Sequence, residues 1–242
     1  MADLGVSGGP EPVDLDANEW LARMAQLPLA FPPGEGWRYH HSFGILGILL
    51  SRVTGRPLDE HLRADLFDPL GMAETRLWLP AAKAQRLPAA YRHAETGLVE
   101  TEPAAGGFYV GEPPFDVSHG ELVSTAADYL AFLRTLRTGE TADGERMLSP
   151  ELLGQMTSDQ IPERLKTPES FFPGFWDGMG WGFGVGVVTS GEHTGRYGWS
   201  GGQGTDFFAD PDGTIGILLT QVELGGPVDG LLEDFQKVDA AN

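Results

Sequence analysis

The chain has 242 residues, no cysteine, and 16 Lys+Arg against 35 Asp+Glu, a formal net charge of -19. The missing cysteines exclude disulfides, a thiol nucleophile and Cys-based zinc or iron–sulfur sites. The acidic balance excludes a phosphate-backbone binder, so no nucleic-acid partner is expected. At 41% hydrophobic the chain can bury a core. It has no run of about 18 apolar residues that would span a membrane. Met1 to Trp20 lacks the apolar stretch of a signal peptide, so the cytoplasm is the default location and the compartment is otherwise unknown.

Residues 1–13 are Gly/Pro-rich and are expected to fray. Asp16 reads as a helix N-cap with Glu19 three residues on, opening a short helix to about Gln26. Pro28, Pro32, Pro33 and Gly34 end it in a turn. Ser42 to Val53 is apolar almost throughout and is closed by Gly55 and Pro57, which predicts a buried helix. A second helix is expected from Leu58 to Phe67, with Asp59 and Glu60 in its first turn. Residues 80–115 read as loop with short strands. Thr125 to Leu136 is amphipathic, and Ser149-Pro150-Glu151 starts another helix.

From Gly178 to Val187 glycines alternate with Met179, Trp181, Phe183, Val185 and Val187, which predicts one strand with a bare face. Gly204–Ala209 and Thr214–Gln221 read as a hairpin around Asp210-Pro211-Asp212-Gly213. Leu231–Val238 is the expected last helix. The pattern is α+β, with no linker long enough to divide it.

Two motifs invite a chemical reading. Gly198-Trp199-Ser200-Gly201-Gly202 fits G-x-S-x-G, the nucleophile elbow of α/β-hydrolases. That motif needs a helix directly after the serine and a histidine further on. Here a strand pattern follows and the last histidine is His193, so the elbow is rejected. In Pro33-Gly34-Glu35-Gly36-Trp37-Arg38-Tyr39, Tyr39 stands at the entry of an apolar helix. It is either a general base beside cations or an amphipathic residue at a core edge.

An ordered set of further pieces carries a resemblance. Pro33-Gly34-x-x-Trp37-x-Tyr39, Ile45-Leu46-Gly47, Val53-Thr54-Gly55-Arg56-Pro57-Leu58 and Phe67-Asp68-Pro69-Leu70-Gly71-Met72-x-x-Thr75 come first. Leu122-Val123-Ser124-Thr125-Ala126-Ala127-Asp128-Tyr129, Leu148-Ser149-Pro150-Glu151, Gly180-Trp181-Gly182-Phe183-Gly184 and Tyr197-Gly198-Trp199-Ser200-Gly201-Gly202 follow. From about residue 20 onward the chain resembles the β-lactamase-related serine hydrolases: class C β-lactamases, DD-peptidases and the esterases that share their fold.

The resemblance implies a β-lactamase/transpeptidase-like antiparallel sheet flanked by helices, with 14–242 as the C-terminal portion of such a domain. It also implies acyl transfer through a serine in S-x-x-K, with a tyrosine moving the proton and a K-T-G or W-x-G strand as the opposite wall. On this mapping Tyr39 is the tyrosine base. His41 stands where the family usually has Asn, and Trp199-Ser200-Gly201 stands at the K-T-G position. With Ser118 these would contact a small acyl substrate or ligand. The His41 change makes a penicillin-type substrate less expected, and no lysine remains to grip a β-lactam carboxylate. No cofactor and no metal are implied.

The chain contains no S-x-x-K. Its lysines are Lys83, Lys166 and Lys237, and Pro80, Glu163 and Asp234 stand three residues before them. The expectation is therefore an N-terminally incomplete domain, inactive alone: a truncated or mis-started gene product whose missing part would lie in another reading frame or in a partner chain. The alternatives are a non-catalytic binding protein on the same fold, or new chemistry from His40, His41 or His119 with Ser118. An incomplete domain would leave apolar faces uncovered, first around Ile45–Leu50 and the glycine strand.

Overall fold

The computed structural model describes residues 1–6, 13–39, 41–114 and 122–238. The chain forms two interleaved compact units. Met1–Glu35, Tyr39–Ala89 and Glu102–Thr125 make the first, and Gly36–Arg38, Ala90–Thr101 and Ala126–Asn242 the second. The chain passes between them repeatedly through short segments, so no composition shift or linker marks the division.

In the first unit, α1 (Ala17–Met24) starts as its capping signal predicts: the Asp16 carboxylate accepts from the Asn18 and Glu19 amides at 2.9 Å. Glu19 does not complete a capping box; it pairs with Arg23 one turn on, at 2.7 Å. Trp20 is buried with Val6, Val13 and Ile48. Val6 is fully buried and Ala2–Leu4 form a 3₁₀ turn, so Met1–Val6 and Val13 do not fray. Two valines that close a core around Trp20 outweigh the Gly/Pro composition between them.

Helix α2 (Ser42–Thr54) ends at Gly55, which takes the left-handed conformation at φ 69° and returns its N–H to Ser51. The expectation of a buried helix fails here. Only Gly44, Gly47 and Ile48 are buried, while Ile45, Leu46, Leu49 and Val53 are exposed. Apolar residues surround the helix, but the fold covers only one side of it. Helix α3 (Leu58–Leu62) continues into a π turn over Arg63–Phe67. Two motif segments then meet: Arg76 and Val123 exchange backbone bonds at 2.9 and 2.8 Å, and the Thr75 and Ser124 hydroxyls lie 2.8 Å apart.

In the second unit, β1 (Ala90–Ala94) and β2 (Gly97–Glu102) form a hairpin. Helices α4 (Ala126–Thr138) and α5 (Pro150–Met156) follow, the latter capped by Ser149. A five-stranded antiparallel sheet comes next, in the order β3 (Met179–Trp181), β4 (Gly186–Val188), β5 (Tyr197–Gly201), β6 (Thr205–Ala209), β7 (Ile215–Leu218). Helix α6 spans Pro227–Gln236 and so begins before the predicted Leu231.

The glycine-alternating segment is a hairpin and not one strand. Met179 pairs with Val188 and Trp181 with Gly186, around a turn in which Gly184 has φ 90°. Period-two patterning cannot show a fold-back when the turn residues keep the alternation. The bare face works as predicted at Gly182, where a Cβ would run into the Met156 carbonyl oxygen.

The sheet carries a helix on each face. Leu133 and Leu136 of α4 pack on Val185, Val187, Tyr197, Phe207 and Ala209. On the other face Phe235 of α6 meets Phe208 at 5.1 Å. No helix among the described residues is long and apolar enough to cross a membrane.

Candidate functional site

Strand β5 pairs Trp199 with Phe207, Ser200 with Asp206 and Gly201 with Thr205. Side chains alternate across a strand, so Trp199 faces the α4 side and Ser200 the α6 side. Ser200 sits between two strands with no helix after it, which confirms that G-W-S-G-G is not an elbow. At Gly198 the neighbouring backbone of Phe207 and Phe208 fills the place of a Cβ, so only glycine fits beside β6.

Trp199 is held by other rings. Its centroid is 4.4 Å from Trp181, edge to face, and 5.9 Å from both Phe171 and Phe175. Trp37 joins the same cluster at 5.5 Å from Trp181 and 5.4 Å from Phe171. The tryptophan of the P-G-x-x-W-x-Y segment is therefore packed with the tryptophans of the W-G-F-G and W-S-G segments, all within the second unit. Sequence reasoning placed Trp37 and Trp181 in motifs without giving them this role.

Asp206 was not singled out in the sequence. It is 3% exposed. One carboxylate oxygen accepts from Gln236 of α6 at 2.8 Å, and Oδ1 has no hydrogen bond among the described residues. Burial raises its pKa, and the Gln236 amide, the Phe207 N–H and the Ser200 hydroxyl offset this only in part. A carboxyl with a raised folded-state pKa binds its proton more tightly in the native than in the unfolded chain. Its contribution therefore favours folding in acid and is lost as pH rises from the ordinary carboxylate range through the folded-state pKa. Asp206→Asn is accordingly expected to be more stable than wild type at pH 7, with the gain shrinking towards pH 4. Urea melts at the two pH values test this; a variant less stable at pH 7 than at pH 4, relative to wild type, would contradict it.

Tyr39 is in the first unit, exposed, just before α2. The Nε2 of His41 lies 3.3 Å from the Val6 carbonyl, a contact that ties the N-terminal segment to the start of α2. Ser118, His40 and His119 lie outside the described residues.

Each lysine is engaged by carboxylate. Lys83 meets Glu74 at 3.0 Å, and Lys237 meets Asp234 at 3.3 Å. Lys166 meets Asp159 at 2.6 Å and Glu163 at 3.1 Å. Burial alone would lower the Lys166 pKa, but its two acidic partners outweigh it and the net shift is upward. A lysine held protonated in this way cannot take a proton from a serine. Asp159 also accepts from the Trp181 and Ile161 amides at 3.0 and 3.1 Å, so this ion pair braces β3. Among the described residues no three His, Asp or Glu side chains converge as a metal centre.

An antiparallel sheet with a helix on each face fits the transpeptidase/β-lactamase-like fold. The beta-lactamase family profile matches residues 2–241, and the chain belongs to that family. It is 33% identical over 213 residues to Protein Rv1367c of Mycobacterium tuberculosis, covering 84% of this chain and 53% of that one. It is 30% identical over 256 residues to Esterase EstB of Burkholderia gladioli, covering 96% and 62%. Its structure matches EstCE1, a hydrolase with promiscuous acyltransferase activity, with a TM-score of 0.75 and 25% identity, over 96% of this chain and 64% of that one. The chain thus spans between half and two thirds of the length of these relatives.

Proposed function

We propose that this chain carries the tyrosine and wall elements of an esterase-type acyl-serine hydrolase and does not turn over esters by itself. Tyr39 is the proton-moving base, and His41, Ser118, Trp199, Ser200 and Gly201 contact the acyl substrate. The observation that carries the reading is the lysine inventory: no S-x-x-K occurs in the sequence, and every lysine is tied to carboxylate. Serine is a weak nucleophile until a neighbouring base takes its proton. Trp-Ser-Gly in place of K-T-G supports esters over β-lactams, and the relative named an esterase supports the same preference.

The uncovered side of α2 supports a polypeptide partner. Ile45, Leu46, Leu49 and Val53 are 44–76% exposed on a helix whose composition suits a fully buried one. A segment carrying S-x-x-K on an apolar helix would cover that side and supply the nucleophile. The same inventory is compatible with a protein that binds acyl ligands without cleaving them, which predicts saturable ligand binding with or without such a segment.

The purified chain is expected to leave p-nitrophenyl butyrate and nitrocefin intact and to take no fluorophosphonate label. Hydrolysis of the butyrate ester should appear when a segment carrying S-x-x-K is supplied as a separate polypeptide, and should be lost in Tyr39→Phe. Robust hydrolysis by the chain alone would overturn the reading.

A further inference from the structure

A cavity of about 150 Å³ opens in the second unit between α4, the end of α5 and the sheet. Tyr129, Phe132, Met156, Phe183, Val185 and Phe207 line most of it. Val185 and Phe207 are buried, whereas Phe183 is 52% exposed although it forms part of the lining. Phe183 cannot withdraw into the core. Its N–H is bonded to the Met156 carbonyl at 3.0 Å, and the turn that carries it is closed by the Gly182 N–H to Val185 carbonyl bond at 2.8 Å.

Two apolar deficits thus lie side by side, an unfilled hole and a large ring left in water. Either alone is an ordinary packing cost, and a single apolar occupant would remove both. The cavity is partly open, so solvent enters it, and its largely apolar lining gains when an apolar group displaces that water.

We propose that this cavity is a binding site for a benzene-sized ring or a short branched alkyl group, closed by Phe183. The floor is connected to the wall strand, since Phe207 pairs in register with Trp199 and stacks edge to face on Tyr129 at 5.3 Å. The Tyr129 phenol is kept neutral, because burial, with Asp206 adding to it, raises its pKa well above the usual value. The site therefore holds no charge and selects apolar groups at any physiological pH. It does not depend on the hydrolase reading.

Fluorobenzene followed by ¹⁹F NMR on the full chain provides the test. Saturable binding is expected with a Kd of order 1 mM, the range open to so small a ligand. Phe183→Ala, an exposed position that leaves the fold intact, should weaken it at least fivefold. Leu136→Phe, an enlargement at another residue that lines the cavity, should abolish it. Methyl butyrate as competitor separates the sources: displacement assigns the site to the apolar tail of an ester, and failure to displace assigns it to free aromatic rings. Absence of saturation in the wild type, or binding unchanged in Phe183→Ala, would overturn the proposal.

Discussion

Arg196→Ala is expected to cost about 3–5 kcal/mol, the range for breaking one partner out of a buried ion pair. The Arg196 side chain is 4% exposed and grips Asp210 with both ends of its guanidinium, at 2.7 and 2.8 Å. It also donates to the Gln236 carbonyl and, at 3.3 Å, to the Val238 carbonyl, both at the end of α6. Its guanidinium carbon lies 3.9 Å over the Phe208 ring. One side chain therefore satisfies a carboxylate and two carbonyls left over where a helix stops.

Removing it strands the largely buried Asp210 carboxylate and frees the two carbonyls beside it. Hydrogen exchange should show Pro227–Gln236 losing protection before the sheet does. Arg196→Lys should fall between, because an ammonium cannot reproduce the two-pronged contact. A combined Arg196→Met, Asp210→Leu variant should recover much of the loss, since an apolar pair leaves no unpaired charge. A urea-derived change below about 1 kcal/mol for Arg196→Ala would show that water reaches the pair and that its burial does not govern stability.

Trp181→Ala has the second large effect, about 3–5 kcal/mol for emptying a buried aromatic site. Trp181 is 5% exposed and touches Trp37, Phe171, Phe175 and Trp199. Its loss leaves a void under the wall tryptophan and frees the ring of Trp37. Near-UV circular dichroism should change beyond the signal of one tryptophan, because the edge-to-face Trp181–Trp199 pair at 4.4 Å disappears with it. Trp181→Phe should keep most of the packing and lose less than half as much. If Trp181→Ala melts like wild type, the cluster is not what supports β5.

The local elements were legible because their causes are local. Asp16 and Ser149 cap helices through their own side chains, Gly55 stops α2 by adopting φ 69°, and Asp210 to Gly213 turn β6 into β7. The α+β class and the family followed from the order of such pieces. Boundaries between elements were less legible. The glycine segment kept its alternation through a turn, and the two units exchange segments as short as Gly36–Arg38.

Composition and motif order determined by themselves that this chain lacks thiols, a net positive charge and S-x-x-K, and that it follows the β-lactamase-related plan. These are properties of the residue inventory, and folding cannot alter them. The tertiary structure alone decided that Asp206 is buried behind Ser200, that Arg196 closes α6, and that one side of α2 faces solvent. Each depends on which distant segments meet, and the energies of burial and of unpaired charge are set by those neighbours and not by the residue that bears them.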